Sequence, residues 1–162
     1  EGHARALRDL GASDPTPPPP IVGRPAPDFQ VTDSNGASLR LSEMRGGWVL
    51  LWFWSSRCPT CDAQAPLLKH IASRFAGGAG LRIVGIAYDR DRGEMEACRR
   101  RHALEWPTTF SGRRAWEDPV GRVYRETATG PLYLIDPSGT LDGIYTNPRE
   151  VEARLAEPLT PP

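Results

Sequence analysis

The stretch that decides the fold is WVLLWFWSSRCPTCDAQAP, residues 48–66. Its first seven residues are all apolar, and such a run is typical of a central strand that is buried on both faces of a sheet. Two serines and an arginine follow, and then Cys58 and Cys61 stand with only Pro59 and Thr60 between them. Because proline is favoured in the first turn of a helix, we expect a helix to open here. The stretch therefore predicts a buried strand, a tight turn that carries two cysteines, and a helix.

The predicted helix carries apolar residues at a spacing of four, namely Ala63, Leu67, Ile71 and Phe75. Residues four apart lie on the same side of a helix, so we expect these side chains to face the core. A glycine pair at 77–78 is expected to end the helix shortly after Phe75.

Strand-like and helix-like runs alternate along the rest of the chain. Asn35-Gly36 predicts a hairpin, and LRIVGIAY over 81–88 predicts a second buried strand. The remaining predicted elements are a helix over 92–102, a short helix over 119–125, a hairpin over 131–146 and a helix over 148–156. This alternation indicates an α/β fold with a mixed central sheet of about five strands flanked by helices.

Length and charge exclude several classes of protein. A chain of 162 residues is expected to fold as one domain. Its 20 basic and 20 acidic residues cancel, so the net charge gives no indication of binding to nucleic acid or to an anionic membrane. No apolar run reaches the roughly 18 to 20 residues that are needed to cross a bilayer.

A proline-rich tract, PTPPPP at 15–20, interrupts the N-terminal part of the chain. Such a tract favours the extended polyproline II conformation and acts as a semi-rigid spacer. We predict a linker or tether over residues 1–23, a folded domain over 24–157 and a C-terminal tail over 158–162. The N-terminal segment is expected to be either a disordered terminus or a tether from a membrane anchor that has been removed.

The two close cysteines are expected to form a redox-active dithiol. The unpaired amide groups and the dipole at the start of a helix favour a thiolate at Cys58, and the thiolate is the nucleophilic form of cysteine. With two residues between the cysteines, Cys61 can attack a mixed disulfide at Cys58, so that exchange proceeds without a cofactor other than the Cys58–Cys61 disulfide. The positive charge of Arg57 is expected to favour the Cys58 thiolate further.

A structural zinc site and an inert disulfide are the two alternative interpretations of this pair. Zinc needs four ligands, and outside the pair the chain offers only Cys98 and three scattered histidines, His3, His70 and His102, so we expect no metal there. An inert disulfide would close a very short loop and would constrain the unfolded chain little. Both alternatives are therefore weaker than the dithiol.

The third cysteine is expected to pack in the core. Met95, Cys98 and His102 share one face of the predicted helix, and free cysteine is among the most buried residue types. We interpret His102 as a helix-end residue rather than a catalytic base. The run Arg99-Arg100-Arg101 predicts a solvated face or a docking surface for an acidic partner.

Three stretches together resemble a known family. They are the FWSSRCPTC stretch over 53–61 with a proline five residues later, GPLYLIDPSG over 130–139, and the entry segments PAPDF and LRLSEMRG over 25–29 and 39–46. These stretches are most similar to the TlpA/ResA-type extracytoplasmic thiol-disulfide oxidoreductases, within the wider redoxin (AhpC/TSA-related) group. The likeness covers about residues 24–146 and implies a thioredoxin-like fold.

The resemblance also implies how the site works. Cys58 would attack, Cys61 would resolve, Pro131 would be a cis-proline against the disulfide, and the backbone of Gly130 would pair with an extended substrate segment. The implied active-site surface consists of Trp54, Arg57, Pro59, Thr60, Gln64, Gly130 and Pro131. The implied activity is reduction of protein disulfides in the periplasm or on the outer face of the membrane, as in cytochrome c maturation, with a membrane-bound electron donor. A cytoplasmic reductase would carry the same cysteine pair.

Three residues depart from the family pattern. Arg57 stands where many members have tryptophan, Gln64 where many have glutamate, and Trp52 where classical thioredoxins have a buried carboxylate. Glutamine cannot accept and return a proton as a carboxylic acid does, so we expect Asp62 or water to serve the proton of Cys61.

Two other functions fit the same residues. A thiol peroxidase is favoured by Ser55, three residues before Cys58, where peroxiredoxins carry threonine or serine. Leu51 stands where their motif begins with proline, which argues against it. A binding module on the same scaffold, with a disulfide that never turns over, is the third hypothesis.

Overall fold

The structure is a computed structural model, and it describes residues 18–157. The predicted tail over 158–162 and most of the predicted linker, residues 1–17, lie outside the described residues. Within the described part, none of the helices combines the length and the apolar character that a membrane-spanning helix requires.

Seven strands and four α-helices make up the described chain. The strands are β1 Gln30–Thr32, β2 Ser38–Arg40, β3 Val49–Trp54, β4 Arg82–Ala87, β5 Thr108–Phe110, β6 Leu132–Ile135 and β7 Leu141–Tyr145. The helices are α1 Pro59–Phe75, α2 Arg92–His102, α3 Pro119–Tyr124 and α4 Pro148–Ala156. Short 3-10 turns lie at Leu41–Met44 and Ala115–Glu117.

Five strands form one mixed sheet in the order β5-β4-β3-β6-β7. The pairs β3–β4 and β4–β5 are parallel, whereas β3–β6 and β6–β7 are antiparallel. The predicted mixed sheet of about five strands with flanking helices is therefore confirmed. The predicted hairpin at Asn35-Gly36 is confirmed as well, since β1 and β2 pair antiparallel in a separate two-stranded sheet.

Strand β3 is buried along its whole length because helices cover both faces of the sheet. Its six residues alternate between two core clusters, with Leu50, Trp52 and Trp54 in one of them. That cluster also contains side chains of α1, α2 and α4, including both close cysteines. The opposite cluster takes the other three residues of β3 and packs against α3 and the β1–β2 hairpin. A continuous apolar run is what a strand with two buried faces requires.

The buried face of α1 differs from the predicted one. Ala63 is exposed and Leu67 is half-buried, whereas Gln64 and Leu68 are buried. A strict spacing of four drifts by roughly 40° per step around a helix, because each residue advances about 100°. A face that stays against the sheet alternates spacings of three and four, and in α1 it follows Cys61, Gln64, Leu68, Ile71 and Phe75.

Candidate active site

The two cysteines lie at the start of α1, just beyond the C-terminal end of β3. Cys58 is the N-cap residue, and its Sγ accepts a hydrogen bond from the backbone N–H of Cys61 at 3.1 Å. Pro59 occupies the first turn, where its missing N–H leaves no helical hydrogen bond unmade. The two sulfur atoms are joined in a disulfide. Cys58 is 7% exposed and Cys61 only 2%, so Cys58 presents the sulfur that a partner reaches first.

The segment Gly130-Pro131 forms the wall beside this turn. The N–H of Gly130 donates to the carbonyl of Phe53 at 2.7 Å, and the carbonyl of Pro131 accepts from the N–H of Phe53 at 3.2 Å. A Cβ atom at Gly130 would lie 3.7 Å from Cγ2 of Thr60, so the glycine faces the turn that carries the cysteines. The end of β3 thus holds both halves of the site together.

The prediction of a cis peptide bond at Pro131 is corrected by the structure. No cis bond occurs among residues 18–157, so the Gly130–Pro131 bond is trans. Trans is the intrinsically preferred form of this bond. Gly130 turns the chain into β6 with φ at 116°, a left-handed conformation that glycine adopts without a steric cost.

Gln64 connects α1 to the wall segment. Its Oε1 accepts a hydrogen bond from Nε1 of Trp52 at 2.9 Å, and its Nε2 donates to the carbonyls of Gly130 and Thr146, both at 2.7 Å. Gln64 is 3% exposed, and its bonds to Trp52 and Gly130 are shielded from water, whereas its bond to the exposed residue Thr146 is only partly buried. Trp52 stands where classical thioredoxins have a carboxylate and Gln64 where many TlpA/ResA-type proteins have one, and in this chain the two side chains bond to each other.

Comparison with known proteins identifies the family. The family model of the AhpC/TSA family matches residues 22–144. The chain belongs to the AhpC/TSA family. This AhpC/TSA protein is 29% identical to the thiol-disulfide oxidoreductase ResA of Geobacillus kaustophilus over 125 residues, which cover 77% of this chain and 69% of ResA. The predicted resemblance to the TlpA/ResA-type redoxins is thereby confirmed.

Solved structures of related proteins share the fold. The thioredoxin domain of a thiol-disulfide oxidoreductase from Bacteroides vulgatus superposes with a TM-score of 0.72 at 22% identity, covering 83% of this chain and 98% of that one. A secreted disulfide oxidoreductase from Mycobacterium tuberculosis gives a TM-score of 0.64 at 25% identity, covering 79% of this chain and 94% of that one. The thioredoxin-like fold of this AhpC/TSA protein is thus confirmed.

Only some residues of the predicted active-site surface are exposed in this AhpC/TSA protein. Pro59 and Thr60 are exposed and Pro131 is half-buried, as a surface that meets a substrate requires. Gln64 and Gly130 are buried, which corrects them from surface residues to interior residues.

Trp54 is completely buried and is likewise corrected from a surface residue to a core residue. It belongs to the cluster of the two cysteines and stacks on Trp52 with ring centroids 5.2 Å apart. The alternation of β3 turns both indoles toward α1.

Arg57 does not act as an isolated positive charge. Its Nε and Nη2 donate to the two carboxylate oxygens of Glu94 at 3.1 and 2.8 Å. This hydrogen bond and the charge of Glu94 raise the pKa of Arg57. The charge that was expected to favour the Cys58 thiolate is therefore compensated, and the pair ties the active-site turn to the first turn of α2.

Asp89 is a site residue that the sequence analysis missed. Its carboxylate accepts a hydrogen bond from the backbone N–H of Ser56 at 3.0 Å and another from the Ser56 hydroxyl. Asp89 is 5% exposed, so it anchors the turn before Cys58 from within the protein. The position of Asp89 just after β4 could have identified it from the sequence, because the C-terminal ends of neighbouring parallel strands meet at one edge of a sheet.

Proposed function

We propose that this thiol-disulfide oxidoreductase reduces disulfides in other proteins by exchange at Cys58 and Cys61. The observation that carries the proposal is the N-cap position of Cys58, where its sulfur meets the N–H of Cys61 at 3.1 Å. A backbone donor at a helix start favours the thiolate over the thiol. The confirmed family and the ResA relative support the same chemistry.

In the proposed exchange Cys58 reacts first and Cys61 second. In the reduced protein the Cys58 thiolate attacks one sulfur of a substrate disulfide, a mixed disulfide forms, and the other substrate sulfur leaves as a thiolate. Cys61, as its thiolate, then attacks Cys58, which closes the Cys58–Cys61 disulfide and releases the second substrate sulfur. Two electrons pass to the substrate, and its two sulfurs take up protons. Gln64 cannot accept the proton of Cys61, so water or another side chain must take that proton.

The wall segment is the proposed substrate surface. Pro59, Thr60 and Pro131 reach the surface beside the cysteines. The expected pairing of the Gly130 backbone with a substrate segment is corrected, because its N–H is bonded to the carbonyl of Phe53 and its carbonyl to the amide of Gln64. A redox disulfide is the only cofactor in this proposal.

The proposal also includes a location for the protein and a source of its electrons. A secreted relative of known structure and the resemblance to extracytoplasmic oxidoreductases support a place in the periplasm or on the outer face of the membrane. There the dithiol would be recharged by a membrane-bound donor, and cytochrome c maturation is the proposed setting. Thiol trapping of the chain directed to the periplasm would test the electron donor: a dithiol that becomes oxidised in cells that lack membrane thiol donors supports it, and a dithiol that stays reduced there contradicts it.

The equilibrium reduction potential of the Cys58–Cys61 pair tests the direction of electron flow. Tryptophan fluorescence in dithiol buffers reads it, because Trp52 and Trp54 share a core cluster with both cysteines. Cys98→Ala removes the spare thiol. A potential near that of thioredoxin, about −270 mV, is expected for an electron donor. A potential near that of DsbA, about −120 mV, would mean that the protein donates disulfides instead.

A Cys61→Ser protein separates the proposal from its two rivals. It is expected to accumulate a mixed disulfide through Cys58 with a substrate protein. Rapid sulfenic acid formation with peroxide at Cys58 would favour a thiol peroxidase. A wild-type disulfide that resists dithiol reductants would favour the binding module.

A further inference from the structure

Three side chains of metal-binding type meet where the first turn of α1 lies against the end of α2. They are Asp62, Cys98 and His102, and one donor atom of each lies within 4.8 Å of the other two. Cys98 and His102 are four residues apart on α2 and therefore share one side of that helix. Asp62 comes from α1, and its Oδ1 lies 3.0 Å from Nε2 of His102. The two helices thus bring a sulfur, a nitrogen and an oxygen donor to one place.

The same place already attracts a positive group. Nη2 of Arg101 lies 3.3 Å from Oδ1 of Asp62 and 3.7 Å from Sγ of Cys98. The Arg101 side chain is 60% exposed, so its guanidinium can move into water at little cost. Arg101 therefore marks a position that suits a cation, and it would compete with any other cation for it.

We propose that Asp62, Cys98 and His102 bind a divalent transition-metal ion of the zinc class. Zinc takes thiolate, imidazole and carboxylate ligands, and three protein ligands leave a fourth position for water. Ligand atoms around such an ion lie roughly 3 to 4 Å apart, given metal–ligand distances of about 2.0 to 2.3 Å. The cluster contracts to this size if Asp62, whose side chain is 44% exposed, and His102 move inward toward the buried sulfur of Cys98. Cys98 releases its proton to water as the metal–sulfur bond forms.

The site contains neither Cys58 nor Cys61 and does not depend on the proposed function, although Asp62 directly follows Cys61 in the chain. The chain has three cysteines, so the oxidised protein keeps one thiol, Cys98. A thiolate–metal signal from the oxidised protein therefore reports this site and no other. Metal bound by the reduced cysteine pair is excluded by the same choice of redox state.

The test is a titration of the oxidised full-length chain with Co²⁺, a spectroscopic substitute for Zn²⁺. We expect saturation at one ion per chain, a sulfur-to-cobalt charge-transfer band in the near ultraviolet, and loss of that band when Zn²⁺ is added. Cys98→Ala is expected to abolish the band. Loss of a residue that only orients a metal ligand weakens binding roughly 10- to 100-fold, so His102→Asn and Asp62→Asn should weaken Co²⁺ binding at least about tenfold.

Two further variants make the test specific. Arg101→Gln removes the competing cation and is expected to tighten Co²⁺ binding several-fold. His70→Asn is the matched control, because His70 lies 3.1 Å from a carboxylate oxygen of Glu152 in a pair that contains no thiol. It is expected to leave the thiolate band and its affinity unchanged.

The outcomes that overturn the proposal are equally distinct. They are a wild-type titration without a thiolate band, a band that survives in Cys98→Ala, and an Arg101→Gln protein that binds Co²⁺ more weakly. Asp62→Asn and His102→Asn change side chains outside the core, so they keep the test valid if Cys98→Ala does not fold. Addition of Zn²⁺ should raise the melting temperature of the wild type, and His102→Asn should reduce that rise.

Discussion

At the scale of single residues, the contacts of Gln64 explain why an amide stands beside the dithiol. The indole of Trp52 only donates, so it needs an acceptor, and the carbonyls of Gly130 and Thr146 each need a donor. A glutamine amide supplies one acceptor and two donors. An ionised glutamate would set a carboxylate against two carbonyls, and a protonated one has a single donor and would leave one carbonyl unpaired.

Gln64→Glu is therefore expected to lower the free energy of unfolding, with a loss that grows with pH. Burial raises the pKa of the new carboxyl above the value of about 4.3 in the unfolded chain. Below pH 4 the acid is neutral in both states, and the loss is about 1 to 3 kcal/mol for one unpaired buried group. As pH rises from about 4.3 to the raised folded-state pKa, the unfolded chain ionises first, and the further cost of a buried charge is added across this range. Urea denaturation at pH 4 and pH 8 measures the difference from wild type.

Gln64→Met is the matched variant for this prediction. It removes the same hydrogen bonds without adding a titratable group, so its loss of stability should be the same at both pH values. An equal loss in Gln64→Glu at pH 4 and pH 8 would contradict the account of this site.

The sequence predicts which residues form the site better than it predicts which of them are in contact. The spacing of Cys58 and Cys61 defines their chemistry because the two lie within one turn of chain. Trp52 and Gln64 stand out in the sequence as departures from carboxylates, but their mutual bond joins a strand to a helix. Only the packing of α1 on β3 brings the two side chains together, and no local sequence pattern predicts that contact.

At the scale of elements, the turn between β3 and α1 is anchored by the end of β4. Asp89 accepts from both the N–H and the hydroxyl of Ser56. We expect Asp89→Ala to lower the free energy of unfolding by about 1 to 3 kcal/mol, because the N–H of Ser56 loses its partner. The turn also loses its fixed geometry, so disulfide exchange with a small dithiol should slow several-fold. Urea denaturation and stopped-flow fluorescence measure the two effects.

Asp33→Ala provides the control for Asp89→Ala. The Asp33 carboxylate accepts from the N–H groups of Asn35 and Ala37 in the hairpin turn between β1 and β2. Its loss should lower stability without slowing disulfide exchange. If both variants slow the exchange equally, Asp89 has no specific role in the active-site turn.

Elements are predicted well where their own pattern determines them and poorly where a neighbour does. Pro59 and the apolar run before it predict the start of α1 and the course of β3, and both are found. The buried face of α1 is displaced from its prediction because Gln64, a polar residue, belongs to it. Polar residues are buried when partners exist for every group, and a search for apolar spacing passes over them.

At the scale of the whole molecule, alternation of strands and helices predicts the fold class but not the order of the strands. The order β5-β4-β3-β6-β7 depends on pairings between distant segments, such as Val49 with Ile135. Resemblance to the family predicts that strand order, whereas the periodicity within one strand does not indicate which other strand pairs with it. The tyrosines of the second core cluster are a further property of the whole fold, since β3, β4, α3 and β6 all contribute to it.

Three tyrosines of that cluster surround Phe53. Tyr88, Tyr124 and Tyr133 lie with ring centroids 5.7, 6.1 and 5.3 Å from the Phe53 ring. Burial raises the pKa of each phenol. In the unfolded chain the same groups titrate near pH 10, so above that pH the folded protein retains protons that the unfolded chain has lost. A raised folded-state pKa gives stability that is complete below about pH 10 and is lost as pH rises further.

The free energy of unfolding is therefore expected to stay level from neutral pH to about pH 10 and to fall steeply above it. Tyr124→Phe should reduce the slope of that fall, because one of the buried phenols is gone. The same variant loses the hydrogen bond from the Tyr124 hydroxyl to the Pro27 carbonyl, 2.8 Å, at a cost of about 1 kcal/mol near pH 7. Tyr145→Phe is the control: Tyr145 is less buried, and its slope should change less. Urea denaturation between pH 7 and about pH 11 measures both slopes, and a wild-type stability unchanged across that range would mean that the three phenols do not stay protonated in the fold.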